Sequence, residues 1–111
     1  MMMNSQDIIS LSIDQISKGL QLELQHKPKL KDEGDPEKIL LAWLTPIIKH
    51  LLDTNLERLL HLLYRIDVSE LKVKKTLLEA SPDEIASSLS ILIIQRQLQK
   101  IALREKYKGF S

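Results

Sequence analysis

The chain has 111 residues, of which 43% are hydrophobic and 28% charged, with a formal net charge of +1. That is one small domain, long enough to bury a core without covalent staples and too near neutrality for charge alone to imply a nucleic acid or membrane partner. It holds no cysteine, which excludes disulfide frameworks, thiolate metal sites and cysteine nucleophiles.

The apolar residues are mostly Leu and Ile with few aromatics, a composition that suits helix-helix contacts. No apolar run approaches the roughly 18 residues of a membrane span, and the N-terminus lacks the basic-then-apolar pattern of a signal peptide. The expected location is cytoplasmic.

Three regions are expected: an N-terminal arm or helix at 1–30, a polar linker at 31–35 and a helical domain at 36–111. In the first, Ile9, Ile13, Ile16, Leu20 and Leu24 share one helical face. Ile9, Leu11, Ile13 and Leu20, Leu22, Leu24 also alternate about Ser17-Lys18-Gly19, the pattern of a hairpin. A lone hairpin is marginal in water, so the helix is favoured, with Ser5 at its cap and Gly19 as its weak point.

The next helix starts at Asp35-Pro36-Glu37, an N-cap, a proline at the first helical position and an acid at the positive end of the dipole. Ile39, Leu40, Trp43, Ile47 and Leu51 form its apolar side, with Trp43 read as core. Pro46 predicts a kink near residues 42–45. Asp53-Thr54-Asn55 breaks the chain, and Thr54 with Glu57 reads as a capping box. The helix that follows is expected to bury Leu56, Leu59, Leu60, Leu63 and Ile66. Arg65, near its end, is expected to cap the last carbonyls or to bind an acid such as Asp67.

Asp67-Val68-Ser69 is the next break. Ser69 caps a short helix running to about Glu79, Val68 and Val73 close over the cap as a staple, and Val73 and Leu77 point inward. Ser81-Pro82-Asp83-Glu84 opens a long last helix from Pro82 to about Tyr107, with Gly109 as terminator. Its seam is Ile85, Leu89, Leu92 or Ile93, Ile94, Leu98 and Ile101. Residues 89–94 are apolar nearly all round, so they are either central in the bundle or at an oligomer contact.

Reactive chemistry finds little support. His26, His50 and His61 include pairs with Asp53 and Glu57 at helical spacings that metal sites use, but the inward positions are Leu and Ile, and the plain reading is solvated surface residues. The serines sit at caps or in helices and none on a glycine-rich elbow. The three glycines are isolated, so there is no phosphate loop. No cofactor, metal or small-molecule substrate is expected, and the chain reads as a non-enzyme.

Two charged segments stand out. Arg96, Lys100, Arg104 and Lys108 repeat every four residues, and 95–111 hold five basic residues against one acid. This ridge complements the negative end of the helix dipole, and alternatively meets an anionic partner. The stretch Val68-Ser69-Glu70-Leu71-Lys72-Val73-Lys74-Lys75-Thr76-Leu77 resembles the turn and recognition helix of bacterial helix-turn-helix regulators. The resemblance implies that Lys72, Lys74, Lys75 and Thr76 face DNA. The chain departs from that pattern at Leu63, where a small residue is usual, and at Asp67, where glycine is usual.

Finally, Leu63-Tyr64-Arg65-Ile66-Asp67-Val68-Ser69-Glu70 with Ile93-Ile94-Gln95-Arg96-Gln97-Leu98-Gln99-Lys100 resembles a family of small uncharacterised bacterial helical proteins. That resemblance implies a bacterial, cytoplasmic, all-helical protein and no site. The combined expectation is an all-α bundle of four to five helices. It acts as an interaction or accessory module through the basic, partly apolar last helix (Arg96, Lys100, Arg104, Lys108). A protein partner or self-association is expected, DNA binding is the alternative, and no membrane is involved.

Overall fold

A computed structural model describes residues 4–20 and 35–107. These form five helices: α1 (Ser5–Leu20), α2 (Pro36–Thr54), α3 (Leu56–Ile66), α4 (Glu70–Glu79) and α5 (Ile85–Tyr107). The molecule is a small all-α bundle, and no strand occurs among the described residues. No helix there is long and apolar enough to cross a membrane. Leu22, Leu24, His26, residues 31–34, Lys108 and Gly109 lie outside the described residues.

The N-terminal segment takes the helical reading. Asn4, not Ser5, caps it: the Asn4 side chain accepts from the Asp7 amide at 2.8 Å. Ile9, Ile13, Ile16 and Leu20 are buried against α2, α3 and α5. Gly19 is also buried, and it lets α1 lie close on Leu62 of α3.

Helix α2 begins as expected, with the Asp35 carboxylate accepting from the Glu37 amide at 3.1 Å. It continues through Pro46 to Thr54. Pro46 and Ala42, the residue four earlier whose carbonyl loses its usual partner, are both exposed, so water can satisfy that carbonyl. The buried line is Leu40, Leu44, Ile48 and Leu51. Ile39, Trp43 and Ile47 pack beside it, half-buried. The most extensive helix-helix packing joins α2 to α5.

The cap of α3 is one residue later than Thr54. Asn55 ends α2, donating its N–H to Leu51 at 2.8 Å, and starts α3, its side chain accepting from the Arg58 amide at 3.2 Å. The Thr54 hydroxyl instead donates back to His50. The buried face of α3 is Leu59, Leu62, Leu63 and Ile66, at i, i+3, i+4 and i+7. Leu56 and Leu60, expected inside, are about half exposed, at 52% and 51%.

Asp67 terminates α3 in the left-handed conformation, at φ 63°, which Asp tolerates better than most residues. Ser69 caps α4, accepting from the Lys72 amide. Val68 is buried and Val73 packs on the core, as the staple requires. Helix α4 itself buries no residue. Leu77, expected inside, is exposed because α4 rests along the side of α5 rather than closing over the core.

Helix α5 starts at Ile85, three residues after the expected Pro82. Residues 82–84 form a turn in which the Ser81 carbonyl accepts from the amides of Glu84 and Ile85. Its 23 residues, at about 1.5 Å each, span most of the molecule's 41 Å length. The apolar stretch 89–94 is central: Leu89, Ser90, Ile93 and Ile94 are buried, and the Ser90 hydroxyl is satisfied by the Ala86 carbonyl at 2.7 Å.

Candidate functional site

The basic ridge of α5 divides into two parts. Arg96 reaches Gln99 at 2.8 Å and the Asp67 carboxylate at 3.5 Å. Lys100 donates to the Ile66 carbonyl, at the C-terminus of α3, at 3.5 Å. These two cations brace the α3 end, where lone carbonyls attract positive charge. They also take the partners that the sequence assigned to Arg65, which stays exposed. Arg104 is exposed, and Lys108 falls outside the described residues.

Beside that brace lies a groove of about 370 Å³ between α1, α3 and α5. Lys100 and Arg104 line it together with Lys18 of α1 and Arg65 of α3. Gln15 and Gln97 complete the polar lining, and Ile66 and Ile101 supply apolar wall. Gln97 is almost fully buried, and its amide donates to the Gln15 side-chain oxygen. Lys18 and Arg65 were invisible as members of a site in the sequence. They lie far from the ridge along the chain, and only the packing of α1 on α3 and α5 brings them to it.

The other exposed chemistry is apolar. Leu56, Leu60 and Tyr64 follow one another at four-residue spacing on α3, and Tyr64 is 85% exposed. On α4, Leu71 and Leu78 are about 80% exposed. Lys72, Lys74 and Lys75 are exposed on the same helix, while the half-buried Thr76 donates its hydroxyl to the Lys72 carbonyl. Helix α4 packs on α5 more than on α3, unlike a helix-turn-helix pair, whose two helices brace each other.

His50 and His61 are exposed, and His61 shares a shallow depression with Asn55, Glu57 and Arg58. Among the described residues no three His, Asp or Glu side chains converge on a point that could hold a metal ion.

Comparison with protein-family models, curated proteins and solved structures finds no match to this chain.

Proposed function

We propose that this protein is a non-enzymatic interaction module that docks a protein partner, or a second copy of itself, through the exposed leucines and tyrosine of α3 and α4. The basic residues of α4 and α5 supply charge complementarity. One observation carries the reading: six large apolar side chains, Leu56, Leu60, Tyr64, Leu71, Leu77 and Leu78, are exposed on two consecutive helices while the core beneath is closed. Aromatic and aliphatic anchors ringed by charge are the usual content of protein interfaces. The apolar run of α5 supports the fold instead, and its basic residues flank the contact.

Leu60→Glu and Leu78→Glu test this reading. Leu78 is 83% exposed, so its substitution should change stability by less than about 0.5 kcal/mol, and that of the half-exposed Leu60 by about 1 kcal/mol. Self-association in sedimentation velocity, or capture of a defined partner from the host, should be lost in both variants. A wild-type chain that stays monomeric and captures nothing that either substitution removes would end the reading.

DNA binding is the second reading. It is favoured by the left-handed Asp67, the Ser69 cap and three exposed lysines on a helix that buries nothing. Phosphate contacts release counterions, so affinity for random duplex should fall steeply with salt. Absence of binding at low salt would close it.

A further inference from the structure

The geometry points to the groove between α1, α3 and α5 as a binding site for a compact, multiply charged oxyanion of the phosphate class. This inference does not depend on the α3 and α4 contact surface. Four cations from three different helices, Lys18, Arg65, Lys100 and Arg104, line one groove, and among the described residues no carboxylate lines it with them. Asp14 and Glu105, which neighbour Gln15 and Arg104 in the chain, are not among the residues that line it. Asp67 is turned to Arg96.

The structural demand for positive charge at the α3 end is met by Arg96, through the Asp67 carboxylate, and by Lys100, through the Ile66 carbonyl. Lys18, Arg65 and Arg104 have no hydrogen-bond or ion-pair partner among the described residues. Like charges gathered around one concavity repel each other, and the low-dielectric wall focuses their field on whatever enters. A bound anion converts that repulsion into charge-assisted hydrogen bonds, for which the two guanidinium forks suit phosphate oxygens.

The floor is built to match. The buried Gln97 amide donates to the oxygen of Gln15, which lines the groove, so the Gln15 amide nitrogen is not used in that bond. At about 370 Å³ the space is at the small end of ligand pockets, roughly 300–1,000 Å³. No aromatic ring lines it among the described residues, so a base or other flat ring gains no stacking there. Size and lining together favour a small di- or polyanion such as pyrophosphate over a nucleotide.

The test titrates the full chain with sodium pyrophosphate by calorimetry at low ionic strength, with an oligonucleotide titrated in parallel. Saturable binding of one anion per chain is expected, with a rise in Tm from linkage. Arg65→Gln and Arg104→Gln should each weaken binding about tenfold, the usual scale for a charge-assisted contact. All four cations except the bracing Lys100 lie on the surface, so circular dichroism of these variants should match wild type. A triple variant of α4, Lys72→Gln, Lys74→Gln and Lys75→Gln, removes three surface charges rather than one and should still leave the affinity unchanged. No saturable heat, several anions per chain, equal loss in the α4 variant, or tight binding of the oligonucleotide without pyrophosphate would each overturn the proposal.

Discussion

Gly19 illustrates how one residue's role depends on a partner far along the chain. Within its own helix it lowers helical propensity by about 1 kcal/mol relative to alanine. In the folded protein a Cβ there would lie 2.6 Å from Cδ1 of Leu62, and Leu62 is fully buried. Gly19→Ala should therefore destabilise by about 1–3 kcal/mol, the cost of an overpacked core, despite the better propensity. Leu62→Ala alone should cost about 2–5 kcal/mol. Combined, the two should cost less than their sum, because the new methyl enters the space that Leu62 vacates. Denaturant midpoints of the four proteins close the cycle, and strict additivity would mean that the two residues do not meet.

Asp67 is the other residue whose backbone matters. It is the single non-glycine residue with positive φ among the described residues. Glycine adopts that conformation without penalty, while the Asp67–Arg96 pair is largely exposed on the aspartate side and worth at most about 1 kcal/mol. Asp67→Gly should be neutral or stabilising by about 0.5 kcal/mol, and Asp67→Ala destabilising by about 1 kcal/mol. Thermal melts yielding Gly at least equal to Asp, and Asp above Ala, would bear this out; an alanine variant as stable as glycine would not.

At the scale of elements, the helix boundaries were largely legible because caps are local chemistry. Asp35-Pro36 and Ser69 do what their types predict. Where two polar residues stand side by side the sequence leaves the choice open: Thr54 and Asn55 both suit a cap, and the chain uses Asn55. Asn55→Ala should cost about 0.5–2 kcal/mol, whereas Thr54→Ala should stay within about 0.5 kcal/mol. The reverse order in chemical denaturation would restore the capping box at Thr54.

Helix faces were harder to read. The leucines of α3 fill two overlapping stripes, and the helices that happen to lie opposite decide which is buried. Leu59, Leu62, Leu63 and Ile66 meet α1, α2 and α5; Leu56 and Leu60 meet solvent. In α4 no residue is fully buried, and of Val73 and Leu77, both expected inside, only Val73 packs against the core. Its periodicity promised an inward face that the tertiary arrangement uses only at Val73.

For the whole molecule, the class was legible because proline and glycine punctuation and leucine periodicity agree on helices. The groove was not, because its cations come from residues 18, 65, 100 and 104, and their convergence is a property of the packed bundle. The same packing bears on the N-terminal segment. Composition separates it from the rest by a polar linker, yet Ile9, Ile13, Ile16 and Leu20 are all at least 98% buried. Each such side chain contributes about 1.5–3 kcal/mol through burial, and the four together are comparable with the entire stability of a small domain, about 5–15 kcal/mol. A fragment beginning at Asp35 would bare the faces of α2, α3 and α5 that these residues cover. It should retain helical far-ultraviolet dichroism but lose its cooperative melt and bind hydrophobic dyes, the behaviour of a loosely packed state. A sharp melt and a well-dispersed NMR spectrum from that fragment would instead make α1 a dispensable arm, and would leave the α1 wall of the groove, with Lys18 and Gln15, optional to the fold.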